Sequence, residues 1–157
     1  MHANGLLIER FYRAFQKRDA DGMVACYTPD IHFSDPVFPD LHGEKAKGMW
    51  RMLCARGKDL TLEFHDIQAN DETGSVNWVA HYTFTATGKK VTNRVRAQFR
   101  FRDGLIFEHV DDFSFWKWAS QALGVMGRLL GWTGFLRAKV QKTAAQGLEK
   151  FEAPASV

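Results

Sequence analysis

His109 and Asp111 stand two residues apart in the run QFRFRDGLIFEHVDDFSFW, residues Gln98 to Trp116. Side chains in a strand alternate, so this pair is expected to share one face with Phe107, Phe113 and Phe115. An imidazole and a carboxylate on an aromatic face are equipped to move a proton. A carboxyl raised in pKa by burial takes a proton from an acidic carbon, and the histidine or Tyr82 donates to the forming enolate. Ionisable groups on such a face are costly unless paired or used. A second carboxylate, Asp35, ends the apolar face of Ile31 and Phe33 just before Pro36. Asp35, His109 and Asp111 are therefore the candidate acid/base residues. Tyr82 and Asn93, on the inner face of neighbouring strands, are candidates for orienting a ligand, with Phe113 as apolar wall. Each also has a structural reading. An Asp before Pro caps turns, His109 and Asp111 form a fixed network, and buried polar groups are commonly satisfied within the core. His109 and Asp111 supply two ligands with no evident third, so neither a metal nor a cofactor is expected.

Asp103-Gly104, between two alternating apolar runs, marks a hairpin, because Gly accepts positive φ freely. Upstream, Leu7, Ile8, Phe11, Ala14 and Phe15 recur at helical spacing over residues 4–18. Asp19 or Asp21 caps a second helix running to about Tyr27, which Thr28-Pro29-Asp30 ends. A short strand over residues 31–35, a proline-containing loop and a third helix over 45–56 follow. Then come alternating strands. Trp78, Ala80, Tyr82 and Phe84 share one face of the first long one. In the next, Val91, Asn93, Val95, Ala97 and Phe99 oppose Arg94, Arg96, Gln98 and Arg100. Strict alternation describes a sheet with one dry face and one wet or partner-covered face. The order predicts an α+β fold with three N-terminal helices on a curved, mostly antiparallel sheet, and a ligand-sized space between the layers. Residues 1–116 form that domain, and residues 117–157 a helical tail packed on it.

A chain of 157 residues is long enough for one real core, and its 13 Phe and 5 Trp suit either a cavity wall or a filled interior. The net charge of +3 is too mild to argue for nucleic acid. Cys26 and Cys54 lack metal or redox spacing and read as buried thiols. No leader and no spanning run is evident, so a cytoplasmic protein is expected. From Lys117 onward six Lys and Arg face two Glu. Packing of Leu123, Leu130, Trp132 and Phe135 onto the domain, as lid or dimer clamp, is favoured over insertion into an anionic membrane surface.

The opening LIERFYRAFQKRDADGMVACYTPDIHFSDPVFPDLHG and the closing FRFRDGLIFEHVDDF resemble the SnoaL-like branch of the nuclear transport factor 2 and ketosteroid isomerase superfamily. The resemblance implies a cone-shaped, cystatin-like fold, a small apolar molecule inside, and a homodimer through the outer sheet face. The segment SDP is similar to the one holding the isomerase's proton-shuttling Asp, which gives Asp35. The isomerase oxyanion hole does not carry over. Its tyrosine position falls on Phe11, with Tyr12 one step round the helix, and its protonated Asp falls on Ala97. Of the epoxide hydrolase triad, only the last-strand Asp is matched, by Asp111; the other positions fall near Ala80 and Tyr82. The acidic residue of the SnoaL-like cyclases is best matched by Asp111 with His109 beside it. With Tyr12 added to the ligand contacts Tyr82, Asn93 and Phe113, the resemblance implies cofactor-free acid/base chemistry, as in an isomerase, aldol-type cyclase or dehydratase. The competing expectation is a non-catalytic module binding an apolar ligand or a protein partner.

Overall fold

The structure, a computed structural model, describes residues 1–153; residues 154–157 lie outside the described residues. Helix α1 spans Ala3–Gln16 and buries Leu7, Ile8, Phe11, Tyr12, Ala14 and Phe15. Asp19 caps α2, Ala20–Val24, by accepting from the Gly22 amide at 3.0 Å. The chain then enters strand β1, Tyr27–Ser34, so Tyr27 opens a strand where a helix end was expected. Pro29 is tolerated there because the pairing of β1 with its neighbour slips between Tyr27 and His32.

Strand β2 is Leu41–His42 and helix α3 is Glu44–Arg56. Strands β3 (Thr61–Ala69), β4 (Thr73–Phe84), β5 (Lys89–Arg102) and β6 (Leu105–Asp112) follow. Helices α4 (Phe115–Ala122), α5 (Val125–Leu130) and α6 (Gly134–Glu152) complete the described chain. The six strands form one sheet in the order β2-β1-β6-β5-β4-β3.

This corrects the expected cystatin-like arrangement of three N-terminal helices on a mostly antiparallel sheet. Only α1 and α2 precede the strands, and α3 follows β2. The sheet is open and mixed, since β1 runs parallel to β6. A parallel pair joins strands far apart in sequence and has no tight turn to announce it.

A second correction concerns the strand that carries the acid/base pair. Arg100 pairs with Glu108 and Phe101 with Ile106, so Phe107 is an extra residue in β6. This bulge turns Ile106 into the core and sends Phe107 outward, where the guanidinium groups of Arg100 and Arg102 stand 5.1 and 5.0 Å from its ring. His109 and Asp111 keep the inner face. Phe115, expected in the strand, is instead the first residue of α4, whose N-terminus Ser114 caps.

The tail is corrected as well. Leu136 and Leu148 of α6 are buried, Val140 and Ala144 pack beside them, and Gln141 donates to the Pro36 carbonyl at 3.0 Å. Leu123 is partly buried, but Leu130, Trp132 and Phe135 face solvent. The helical period explains Phe135. The inward set Leu136, Val140 and Ala144 repeats every four residues, and Phe135 lies one step round from it.

Candidate active site

The inner face of the sheet, α3, α4 and α6 enclose a cavity of about 540 Å³. Its wall is mostly apolar, with Trp50, Trp78, Phe113 and Leu136 among its members. Asp35, Tyr82, Asn93 and Asp111 also line it. These four candidates, on three separate strands and a turn, are brought to one space by the tertiary fold.

Asp111 sits on β6 opposite Ala97, buried, and is held by a chain of hydrogen bonds. Its Oδ1 lies 2.8 Å from His109 Nε2 and 3.4 Å from Trp78 Nε1. His109 Nδ1 lies 2.7 Å from the Tyr27 hydroxyl, which accepts from Trp50 Nε1 at 2.8 Å. Tryptophan can only donate, so the Tyr27 hydroxyl accepts from Trp50 and has its own proton to give. Trp50 donates to Tyr27, Tyr27 to His109 Nδ1, and His109 Nε2–H to the Asp111 carboxylate. Every donor then has an acceptor. The other Asp111 oxygen has no hydrogen-bond partner among the described residues and belongs to a side chain that lines the cavity.

His109 itself is fully buried and does not line the cavity. It packs on Phe99 with ring centroids 4.5 Å apart and lies nearly parallel to Trp50 at 5.9 Å. It therefore reaches a ligand only through Asp111.

Asp35 opens the turn after β1. Its Oδ1 accepts from the amides of Val37 and Phe38 at 2.7 and 2.6 Å, an Asx turn that sets the side chain at the cavity wall. Burial pushes its pKa up to about 7; the Phe38 amide opposes this, and the charge of Asp111 adds to it. A carboxyl poised there exchanges protons near neutral pH.

Tyr82 accepts a hydrogen bond from Trp118 Nε1 at 2.9 Å. Burial raises its pKa to about 12, so the hydroxyl keeps its proton and has it to donate. Asn93 is buried, lines the cavity, and has no side-chain hydrogen bond to any described residue. Its amide is thus a free donor and acceptor, which argues against its being a satisfied core group.

Tyr12 does not line the cavity. It is sealed among Phe64, Trp78 and Phe99, and its hydroxyl has no partner among the described residues. Burial, and after it the charge of Asp111, holds its pKa well above the ordinary value. Helical rotation from Phe11 placed it one layer behind the wall.

Sequence reasoning missed Tyr27 and Trp50 as parts of the site. Both fall in or at the end of stretches that read as helix, and no local pattern joins them to His109, 82 positions beyond Tyr27. Trp78 was legible on the inner face of β4, but not as a donor to Asp111.

Among the described residues, His32, Asp40 and His42 bring three ligating side chains together at the β1–β2 edge. Their rings stack at 4.5 Å and 16°, and both Nε2 atoms meet one Asp40 oxygen at 2.8 Å. Near-parallel rings aim their nitrogens side by side, which suits a shared hydrogen bond better than a tetrahedral ion.

The family model of the SnoaL-like domain matches residues 8–109. Among solved structures, this chain is similar to IdmH, a putative polyketide cyclase from Streptomyces antibioticus. Identity is 24%, coverage 79% of this chain and 100% of that one, and TM-score 0.64. A putative polyketide cyclase from Xanthomonas campestris is 23% identical, covering 76% and 96%, with TM-score 0.64. An LEH-like epoxide hydrolase from M. tuberculosis is 19% identical, covering 82% and 96%, with TM-score 0.62. No curated protein matches the chain. At these identities the likeness to solved structures speaks for the fold.

Proposed function

The chain belongs to the SnoaL-like domain family, and on that premise we propose that its pocket performs general acid/base chemistry on a largely apolar small molecule. The observation that carries the reading is the pair of carboxylates on one apolar cavity: Asp111 is oriented from behind by His109, and Asp35 has a pKa of about 7. In the proposed step, the free oxygen of Asp111 takes a proton from a carbon beside a carbonyl, and the C–H electron pair moves to form the enolate. Protonated Asp35 gives its proton to the developing oxygen, and Tyr82 and Asn93 hold that oxygen in place. Return of a proton to a different carbon gives isomerisation, and attack of the enolate on a second carbonyl gives aldol-type ring closure.

The names of the two similar cyclase structures direct the first test to carbon acids flanked by two carbonyls. A panel of aryl 1,3-diketones incubated with the protein in D2O is followed by NMR. The expected result is deuterium incorporation faster than with the Asp111→Asn variant by about 10²–10⁴-fold, the usual contribution of a positioned base. Binding of such compounds with no exchange above the variant overturns the catalytic reading.

That outcome favours the second reading, a binding module. It is supported by the lack of any cavity contact for His109 and by the two backbone amides that occupy one Asp35 oxygen.

We also propose a homodimer through the outer sheet face, where Arg94, Arg96, Gln98 and Arg100 are exposed along β5. Light scattering at micromolar protein is expected to give twice the mass of the chain; a stable monomer removes the proposal.

A further inference from the structure

Helix α5 is built inside out. Gly127 is its buried residue and lies against the α4 backbone, where a Cβ would overlap the Ala119 carbonyl oxygen; Gly131, the buried C-cap, lies against the Trp116 and Ala119 side chains. The large side chains point the other way. Val125, Met126, Leu129 and Leu130 are exposed on α5, and Trp132 and Phe135 follow in the turn and the start of α6. Trp132 and Phe135 are 76% and 77% exposed. An aromatic side chain offers ~150–250 Å², so Trp132 and Phe135 alone expose a few hundred Å², the scale at which an apolar surface marks an interaction site.

The charge around the tip has one sign. From Trp116 to Thr143 the chain has five basic residues, Lys117, Arg128, Arg137, Lys139 and Lys142, and no Asp or Glu. All five are exposed. Two copies of this surface would repel one another, which argues against a second copy as its cover. Apolar side chains ringed by cations fit an anionic lipid surface, where aromatic residues sit at headgroup level and Lys and Arg meet phosphate. No helix among the described residues is long and apolar enough to cross a membrane, so the fit is to its surface.

We propose that the α5 tip docks this protein on an anionic membrane surface and that the pocket takes its ligand from the lipid. The second clause rests on the pocket reading above. Met126 is both exposed at the tip and part of the cavity wall, together with Leu123, Leu136 and Val140. The mouth of the cavity therefore opens beside the docked surface, and the substrate class is a lipid-soluble carbon acid.

The test is flotation of the full chain with vesicles of phosphatidylcholine containing about one quarter phosphatidylglycerol, against phosphatidylcholine alone. The expected result is association with the anionic vesicles only, falling severalfold as salt rises from about 0.05 to 0.5 M. The double variant Trp132→Ser/Phe135→Ser is expected to lose about tenfold or more of the association. Both residues are exposed, so its circular dichroism and melting temperature stay those of the parent. Transfer of N-phenyl-1-naphthylamine from the same vesicles into the protein follows docking and is lost with it. Failure to float, or flotation unchanged in the double variant, overturns the proposal. So does a double variant that turns a dimer into a monomer, because the tip is then a contact between copies; capture of a protein partner by the tip in the absence of lipid overturns it likewise. The two readings fail separately. Asp35→Asn leaves flotation intact, and Trp132→Ser/Phe135→Ser leaves deuterium exchange in lipid-free solution intact. Flotation of the parent chain with no exchange above the Asp111→Asn variant removes the pocket chemistry and leaves the docking surface.

Discussion

Replacing Asp35 by Asn is expected to stabilise the protein at pH 8 and to change little at pH 4. The side chain is held in the folded chain with a pKa of about 7, against an ordinary value of 3.8. The native state therefore binds this proton more tightly than the unfolded chain does. Its contribution to stability is fully present below pH ~4 and is lost as pH rises to about 7. Such a difference is worth at most ~4 kcal/mol, and water in the open cavity reduces it to roughly 1–3 kcal/mol. Asn keeps the acceptor that closes the turn onto the Val37 and Phe38 amides, so the local structure survives. At pH 8 the melting temperature is expected to rise by roughly 3–10 °C. The parent is expected to lose stability between pH 4 and 7 in urea titrations, and the variant to lose less. A variant no more stable than the parent at pH 8 means the carboxylate is well solvated and is not the poised proton carrier. The gain should coincide with loss of deuterium exchange, since a group that destabilises the fold is being kept for its chemistry.

His109→Leu is expected to be among the most damaging single changes in the core, although leucine fills much of the space. The imidazole joins two buried partners at 2.7 and 2.8 Å, and removing it leaves the Tyr27 hydroxyl without an acceptor and Asp111 without its shortest donor. Orphaned buried groups cost ~1–3 kcal/mol each, more when charged, so about 3–5 kcal/mol is expected in urea unfolding. Tyr27→Phe alone should cost less, because it leaves only the Trp50 N–H and one imidazole lone pair unmet. Added to His109→Leu, it should cost less again, since the hydroxyl it removes is already stranded. A sum equal to the two single effects would mean that the residues are not one unit. Far-UV circular dichroism separates a weakened core from an unfolded one.

The parts of this fold that were legible in the sequence are those governed by near neighbours. Asp103 and Gly104 both take positive φ, 54° and 76°, as their hairpin signal requires. The alternation of β5 predicted its buried and exposed faces residue by residue, because a strand has no freedom to do otherwise. The same rule put Tyr82, Asn93 and Asp111 on inner faces, and the cavity is lined by all three. It failed at Phe107, where one extra residue in β6 reverses the side on which a side chain falls. A bulge is a property of two paired strands, and period counting on one of them is blind to it.

Residue types, their period and their turn chemistry thus determined by themselves that this chain makes an amphipathic helix, an alternating sheet and a carboxylate-bearing last strand. Tertiary structure alone decided what those parts mean together. It ran β6 beside β1 in parallel, which set Tyr27 against His109 and made a structural histidine into the support of Asp111. Asp35 was placed on the same cavity, where exclusion of water raises its pKa. Gly127 of α5 was turned inward and the helix's leucines outward. Side-chain period follows from backbone geometry and is local. Desolvation, relay hydrogen bonds and the choice of which apolar face stays uncovered depend on residues brought together from across the whole chain.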